Sequence, residues 1–214
     1  MAVIKMMAIE YNILSSIMNL INNTIKSSIG IYDCLSKLNI PVLPAYPRNL
    51  TNFTKPSIIV QKVGTDNEQI CFGGFIGQCQ IDDAQLDAYG VNYESTYQID
   101  VCGDNNTQKS LLVAILMDEM FNNIRFNNCG QIEIYNYALS QNDPQLMGYA
   151  KLDQDIDVQD IDRKYRAENE YKSSNYDYVT AIRFDVSMLQ VVIPDNQKMV
   201  DLTKPIKITQ RVKL

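Results

Sequence analysis

A chain of 214 residues with 46% hydrophobic content can bury a core of its own, which excludes disorder by composition. The formal net charge is −6 and the 19 Lys and Arg are scattered, which argues against tight binding of a nucleic-acid backbone by counterion release. With no His at all, a His-containing zinc site and every Ser-His or Cys-His catalytic pair are excluded.

Residues 6–27 carry Ile9, Ile13, Ile17, Leu20, Ile21 and Ile25 at spacings of three and four, which predicts an amphipathic helix. A membrane-surface helix wants Lys and Arg flanking its apolar face, and this one has almost none. The face is therefore expected to pack on the domain or on a neighbouring subunit. Gly30 interrupts it, and Ile31, Leu35 and Leu38 suggest a short second helix or turn, so 1–39 reads as an N-terminal helical segment. Pro41, Pro44, Pro47 and Pro56 make 40–56 an extended connector, because proline lacks an N–H and disfavours helix before it. Residues 57–63 (SIIVQKV) read as a mostly buried strand, 64–69 as a polar turn and 70–76 (ICFGGFI) as the hairpin partner, with Gly73 and Gly74 marking a bulge or close backbone contact. Residues 77–92, with Asp82, Asp83 and Asp87, read as a loop or short helix.

The most informative stretch is 97–130. Tyr97, Ile99 and Val101 alternate with Gln98 and Asp100, the period of a strand with one buried face. Gly103, Asp104, Asn105 and Asn106 break that period, and any of the last three can cap a helix start. Leu112, Ile115, Leu116, Met120 and Ile124 then follow helical spacing, widened by Leu111 and Phe121, and Gly130 is the expected stop. Residues 131–137 (QIEIYNY) alternate again as a strand. In 153–162 (DQDIDVQDID), Asp153, Asp155, Asp157, Asp160 and Asp162 interleave with Ile156, Val158 and Ile161. A calcium loop needs a central Gly and a Glu at its twelfth position, and both are missing, so the segment reads as a solvated strand or ribbon with an acidic outer face. Residues 163–175 are polar and read as an arm or loop tip, giving a projecting arm near 153–175. Residues 178–193 form a long strand, with Ile182, Phe184, Val186 and Met188 on one face and Val179, Ala181, Arg183, Asp185 and Ser187 on the other, ended by Pro194. The tail 194–214, with alternating Ile206 and Ile208, can be a strand that docks only on a partner. Strands with one interposed helix predict an α+β fold: a mostly antiparallel or mixed β-sheet packed against a central amphipathic helix, with an additional N-terminal helix and a core spanning 57–193.

No residue pattern points to catalysis. The five Cys are odd in number and lack C-x-x-C spacing, so they read as reduced thiols in a cytosolic setting. The start of the chain has no continuous apolar region or small-residue cleavage site of a signal peptide, and no run reaches the roughly 20 apolar residues that cross a bilayer. The expectation is a non-enzyme with no cofactor, no metal and no membrane partner.

The order of strand (YQIDVCG), polar turn, amphipathic helix (LLVAILMDEMFNNI), Gly stop, strand and long late strand (YVTAIRFDVSML) resembles that of the tail terminator proteins of long-tailed bacteriophages and of related neck and tail-completion proteins. The resemblance covers roughly 57–193. The N-terminal helix, the Pro-rich connector and the tail are departures from it. It implies a helix packed on a sheet and a homo-oligomeric ring, usually of six copies. Such a ring caps the tail tube and meets the head-side connector or stopper, with a sheath as a further partner, and DNA passes through it without specific binding. It also implies a place in the virion, assembled in the host cytoplasm. By that resemblance the five Asp of 153–162 would face a lumen or an adjoining subunit. The alternatives are another phage or contractile-system structural part (head completion, stopper or baseplate), or a small-molecule-binding or enzymatic domain.

Overall fold

The computed structural model of the chain describes residues 2–32, 35, 38–46, 55–69, 75–81, 84–160 and 178–192. In chain order the elements are α1 (Ala2–Ser28), a 3-10 turn (Ile29–Ile31), β1 (Val42–Leu43), β2 (Ser57–Gln69), β3 (Phe75–Ile81) and β4 (Ala84–Cys102). A long helix follows in three parts, α2 (Asn106–Ile115), a wide π segment (Leu116–Phe121) and α3 (Asn122–Phe126), and then β5 (Gln131–Tyr135), β6 (Leu146–Asp160) and β7 (Val179–Val192). The seven strands form one sheet in the order β1-β2-β4-β7-β6-β5, with β3 on the far half of β4. Only β1 and β2 are parallel. The fold is α+β, a mixed and mainly antiparallel sheet with its helices packed on it.

Both long helices form where apolar residues recur at helical spacing. Ile9, Ile13, Ile17, Ile21 and Ile25 of α1 are all buried, and such an i, i+4 row is a ridge that seats against the sheet. Polar residues beside the ridge are satisfied across the contact. Asn12 Oδ1 accepts from the Ala138 backbone N–H at 2.9 Å, and Ser16 Oγ accepts from the Tyr135 N–H at 2.9 Å. Asn19 Nδ2 donates to the Tyr137 hydroxyl at 2.8 Å. Helix α1 thus fixes the chain leaving β5, packing on its own domain as one of the two sequence expectations had it.

The second helix starts where the sequence puts it. Asn105 is the N-cap: its Oδ1 accepts from the Gln108 N–H at 2.9 Å, and Gln108 Oε1 accepts in return from the Asp104 N–H at 3.2 Å. Leu112, Ile115, Leu116, Met120 and Ile124 are all buried, as their spacing predicts. The π segment is a finding the periodicity does not foretell. Its wider turn, with the Asn122 N–H bonded to Met117 O, returns residues five apart to one face, so Leu116 and Phe121 are both fully buried. Phe121 meets Phe184 of β7 edge-on at 5.1 Å, and Phe184 stacks on Tyr97 of β4 at 6.1 Å, which ties helix to sheet. Past α3, Cys129 and Gly130 take positive φ (53° and 76°), and the Gly130 N–H bonds back to Ile124 O at 2.8 Å, which makes the expected stop.

Three expectations are corrected. The turn predicted at 64–69 does not form: β2 runs on to Gln69 and pairs with β4 along its length, and Phe75, of the expected hairpin partner, pairs with Tyr89 of β4. The polar stretch after Gly64 is strand rather than turn because β4 supplies its ladder bonds, and the break in pattern is a register shift between Lys62 and Gly64. Residues 77–92, expected as loop or short helix, are strand where described: 77–81 belong to β3, and 84–92 are the first half of the 19-residue β4, which closes on β3 at Ile81 and Ala84. Residues 153–160, assigned to a projecting arm, belong to β6 and pair with β7 from Ile156 to Asp160, which the ribbon reading had right. Residues 161–177 and 193–214, which hold the rest of the arm and the tail, lie outside the described residues, as do 70–74.

One face of the sheet carries the main core. The other is covered locally, where Leu43 and Tyr46 of the connector lie over Ile59, Cys102 and Val179. This cover explains why Gln98 and Asp100, read as a solvent-facing pair, are 7% and 1% exposed.

Candidate functional site

β5 pairs with β6 only from Leu146 to Lys151, and the Leu152 N–H reaches Gly130 O at 2.8 Å. Beyond that point no strand among the described residues lies on the outer side of β6, so among them 153–160 forms an edge of the sheet. Asp153, Asp155, Asp157 and Asp160 are all on it and all exposed, and Asp162 lies outside the described residues. An acidic open edge is a common way to keep unpaired N–H and C=O groups from pairing at random.

The four described Asp do not act as one cluster. Asp160 points to the helix side, where it receives Lys109 Nζ at 2.8 Å and the Thr180 hydroxyl at 2.5 Å. Lys109 is buried at 3%, so this pair neutralises a cation under the first turn of α2. Asp157 stands opposite Arg183 on the other face and accepts from Gln159 Nε2 at 2.6 Å. Between Leu152 and Ile156 the register with β7 shifts, and this bulge opens a cleft of about 640 Å³. Arg125, Arg183, Asp155, Asp157, Asp185 and Met117 are among its walls. Asp185 accepts from the Thr96 hydroxyl at 2.5 Å. Two guanidinium groups beside three carboxylates leave the cleft mixed in sign, with one negative charge in excess. Among the described residues no group of three or more Cys, Asp or Glu is placed to hold a metal ion.

A second polar centre escaped the sequence reading. Asp100 accepts from the Tyr46 hydroxyl at 2.6 Å, Gln98 Nε2 at 2.7 Å and Gln61 Nε2 at 3.2 Å. Arg183 Nε in turn donates to Gln98 Oε1 at 2.6 Å. Burial raises the Asp100 pKa above the ordinary carboxylate value, against the pull of Tyr46, Gln98 and Arg183. Neighbouring Cys102 is fully buried, and burial with the nearby Asp100 charge pushes its thiol up to about 12. A thiol so poorly ionised is inert rather than nucleophilic. The centre pins the connector to the sheet. Its only sequence signal was Asp100 on an otherwise β-rich strand, and its partner Tyr46 lies 54 residues earlier, a separation no spacing rule connects.

No helix among the described residues is long and apolar enough to cross a membrane. No protein-family model matches the chain. Comparison with curated proteins finds no match either.

Proposed function

We propose that the protein is a structural subunit of a phage neck: a tail terminator that closes into a ring, usually of six copies, caps the tail tube and meets the head-side connector. The reading begins from the element order around the central helix. The observation that carries it is the unequal pair of open edges on one rigid sheet. β1 covers only Ile58 and Ile59 of β2, and β5 leaves 153–160 of β6 uncovered, so the two flanks of the subunit present different backbone edges among the described residues. Two different surfaces on one subunit are what a head-to-tail contact needs if it is to close into a ring. A net charge of −6 suits a channel wall past which DNA moves without sticking. In this reading the subunit binds and positions, and it transforms no substrate.

The test is the mass and shape of the purified chain, alone and mixed with tail tubes. Rings near six copies that seat on tube ends are expected. A protein that stays a monomer and ignores tubes would remove the reading.

A further inference from the structure

We propose that β4 holds an internal water molecule on its core face, bridging the hydroxyls of Tyr93 and Tyr97 over Ser95. The inference does not depend on the ring reading.

Tyr93, Ser95 and Tyr97 occupy every second position of β4 and so share one face of the strand. They are 2%, 1% and 0% exposed in that order, and both tyrosines belong to the main core. None of the three hydroxyls has a hydrogen-bond partner among the described residues. Leaving a buried hydroxyl unpaired costs free energy, and folded interiors avoid it almost everywhere. Elsewhere in the core the chain satisfies such groups itself, as Asn12 and Ser16 show by accepting from backbone N–H groups of the segment after β5 and of its last residue. Three unpaired hydroxyls on one stretch of one strand call for a shared partner.

The geometry gathers them. Residues four apart on a strand begin about 13 Å from each other. The Tyr97 phenol nevertheless feels Tyr93 both as a nearby charge centre and as a polar neighbour. The two rings therefore lean together, with Ser95 between them on the same face. Their oxygens approach without making a hydrogen bond of normal geometry. A polar contact just beyond direct reach is where a bridging water belongs, and a buried water needs two to four polar partners.

The surroundings select water over an ion. On β7, Met188, Val186 and Phe184 stand opposite Tyr93, Ser95 and Tyr97, three apolar neighbours. Burial first, then Tyr93 and Glu10, raise the Tyr97 pKa far above the ordinary phenol value, so the phenol stays protonated and negative charge is disfavoured beside it. A cation gains little from Glu10, whose carboxylate is already paired with Lys62 Nζ at 2.5 Å. That leaves a small neutral molecule that both donates and accepts, which is what three hydroxyls can hold. The Lys62 and Glu10 side chains, 26% and 38% exposed, mark the solvent side of this polar seam.

The test is a crystal structure of the full wild-type chain, joined to water-oxygen magnetic relaxation dispersion in solution on wild type and on the double variant Tyr93→Phe, Tyr97→Phe. The variant keeps both rings, so the packing is conserved while the hydroxyls are removed. An ordered water about 3 Å from both phenol oxygens is expected in the wild-type crystal. The variant should carry one long-lived internal water fewer than wild type. Phenols bonded directly to each other or to a protein side chain, with no water between them, would overturn the proposal. So would an equal number of long-lived waters in the two proteins.

Discussion

Asp100 shows how a single buried carboxylate reports on the packing around it. Its folded pKa lies above the ordinary value, so the folded chain binds this proton more tightly than the unfolded chain does. The group's contribution to stability is therefore greatest at low pH, falls as pH rises from the ordinary carboxylate range through the folded pKa, and is flat above it. Denaturant titrations of wild type and Asp100→Asn across that window should show wild type gaining on the variant as pH falls. A pH-independent difference would contradict the assignment. Tyr46→Phe removes one donor to the same carboxylate and should cost about 1–3 kcal/mol, measured by urea unfolding near neutral pH. Gly103 makes a separate point. A Cβ there would sit 2.8 Å from the Lys109 backbone N and 2.9 Å from Asn105 O, both main-chain atoms that cannot swing away. Gly103→Ala should therefore destabilise by about 2 kcal/mol as overpacking, read as a lower thermal midpoint.

At the scale of elements, the central helix was legible because three signals agreed: the Asn105 cap, the stripe from Leu112 to Ile124 and the Gly130 stop. Helix α1 was legible from its isoleucines alone. What could not be read was non-local. The π segment depends on Phe184 waiting across the sheet for Phe121, and periodicity within the helix cannot report that partner. Phe121→Ala should then cost about 3–5 kcal/mol, as for other buried aromatics, and unfolding by guanidinium would check it. The early half of β4 was missed because residues 84–92 mix Asp, Tyr and Gly without clean alternation, and their strand character comes from pairing with β3 on one side and β2 and β7 further along. The turn wrongly expected at 64–69 has the same cause. Local polarity marked a turn, while the partner strand lay some thirty residues away. The acidic run on β6 was legible as a ribbon, but its division was not. Asp160 belongs to Lys109 on the helix side, and Asp157 faces Arg183 on the other.

At the scale of the whole molecule, one mainly antiparallel sheet carries both long helices on its core face. In the proposed ring, the acidic end of β6 is the part that would meet a neighbouring subunit or the lumen. Changing Asp153, Asp155, Asp157, Asp160 and Asp162 together to Asn should leave the fold largely intact, apart from the Lys109 pairing, and should disturb assembly and DNA passage. Unaltered assembly and passage would count against a role for the acidic edge. The central claim is that the chain exists to be multiplied around an axis, and native mass spectrometry of the full-length protein across a concentration series tests it most directly. The account predicts a closed species of about six 24.4 kDa subunits that grows in as concentration rises. A single 24.4 kDa species at every concentration, with and without tail tubes, would contradict it.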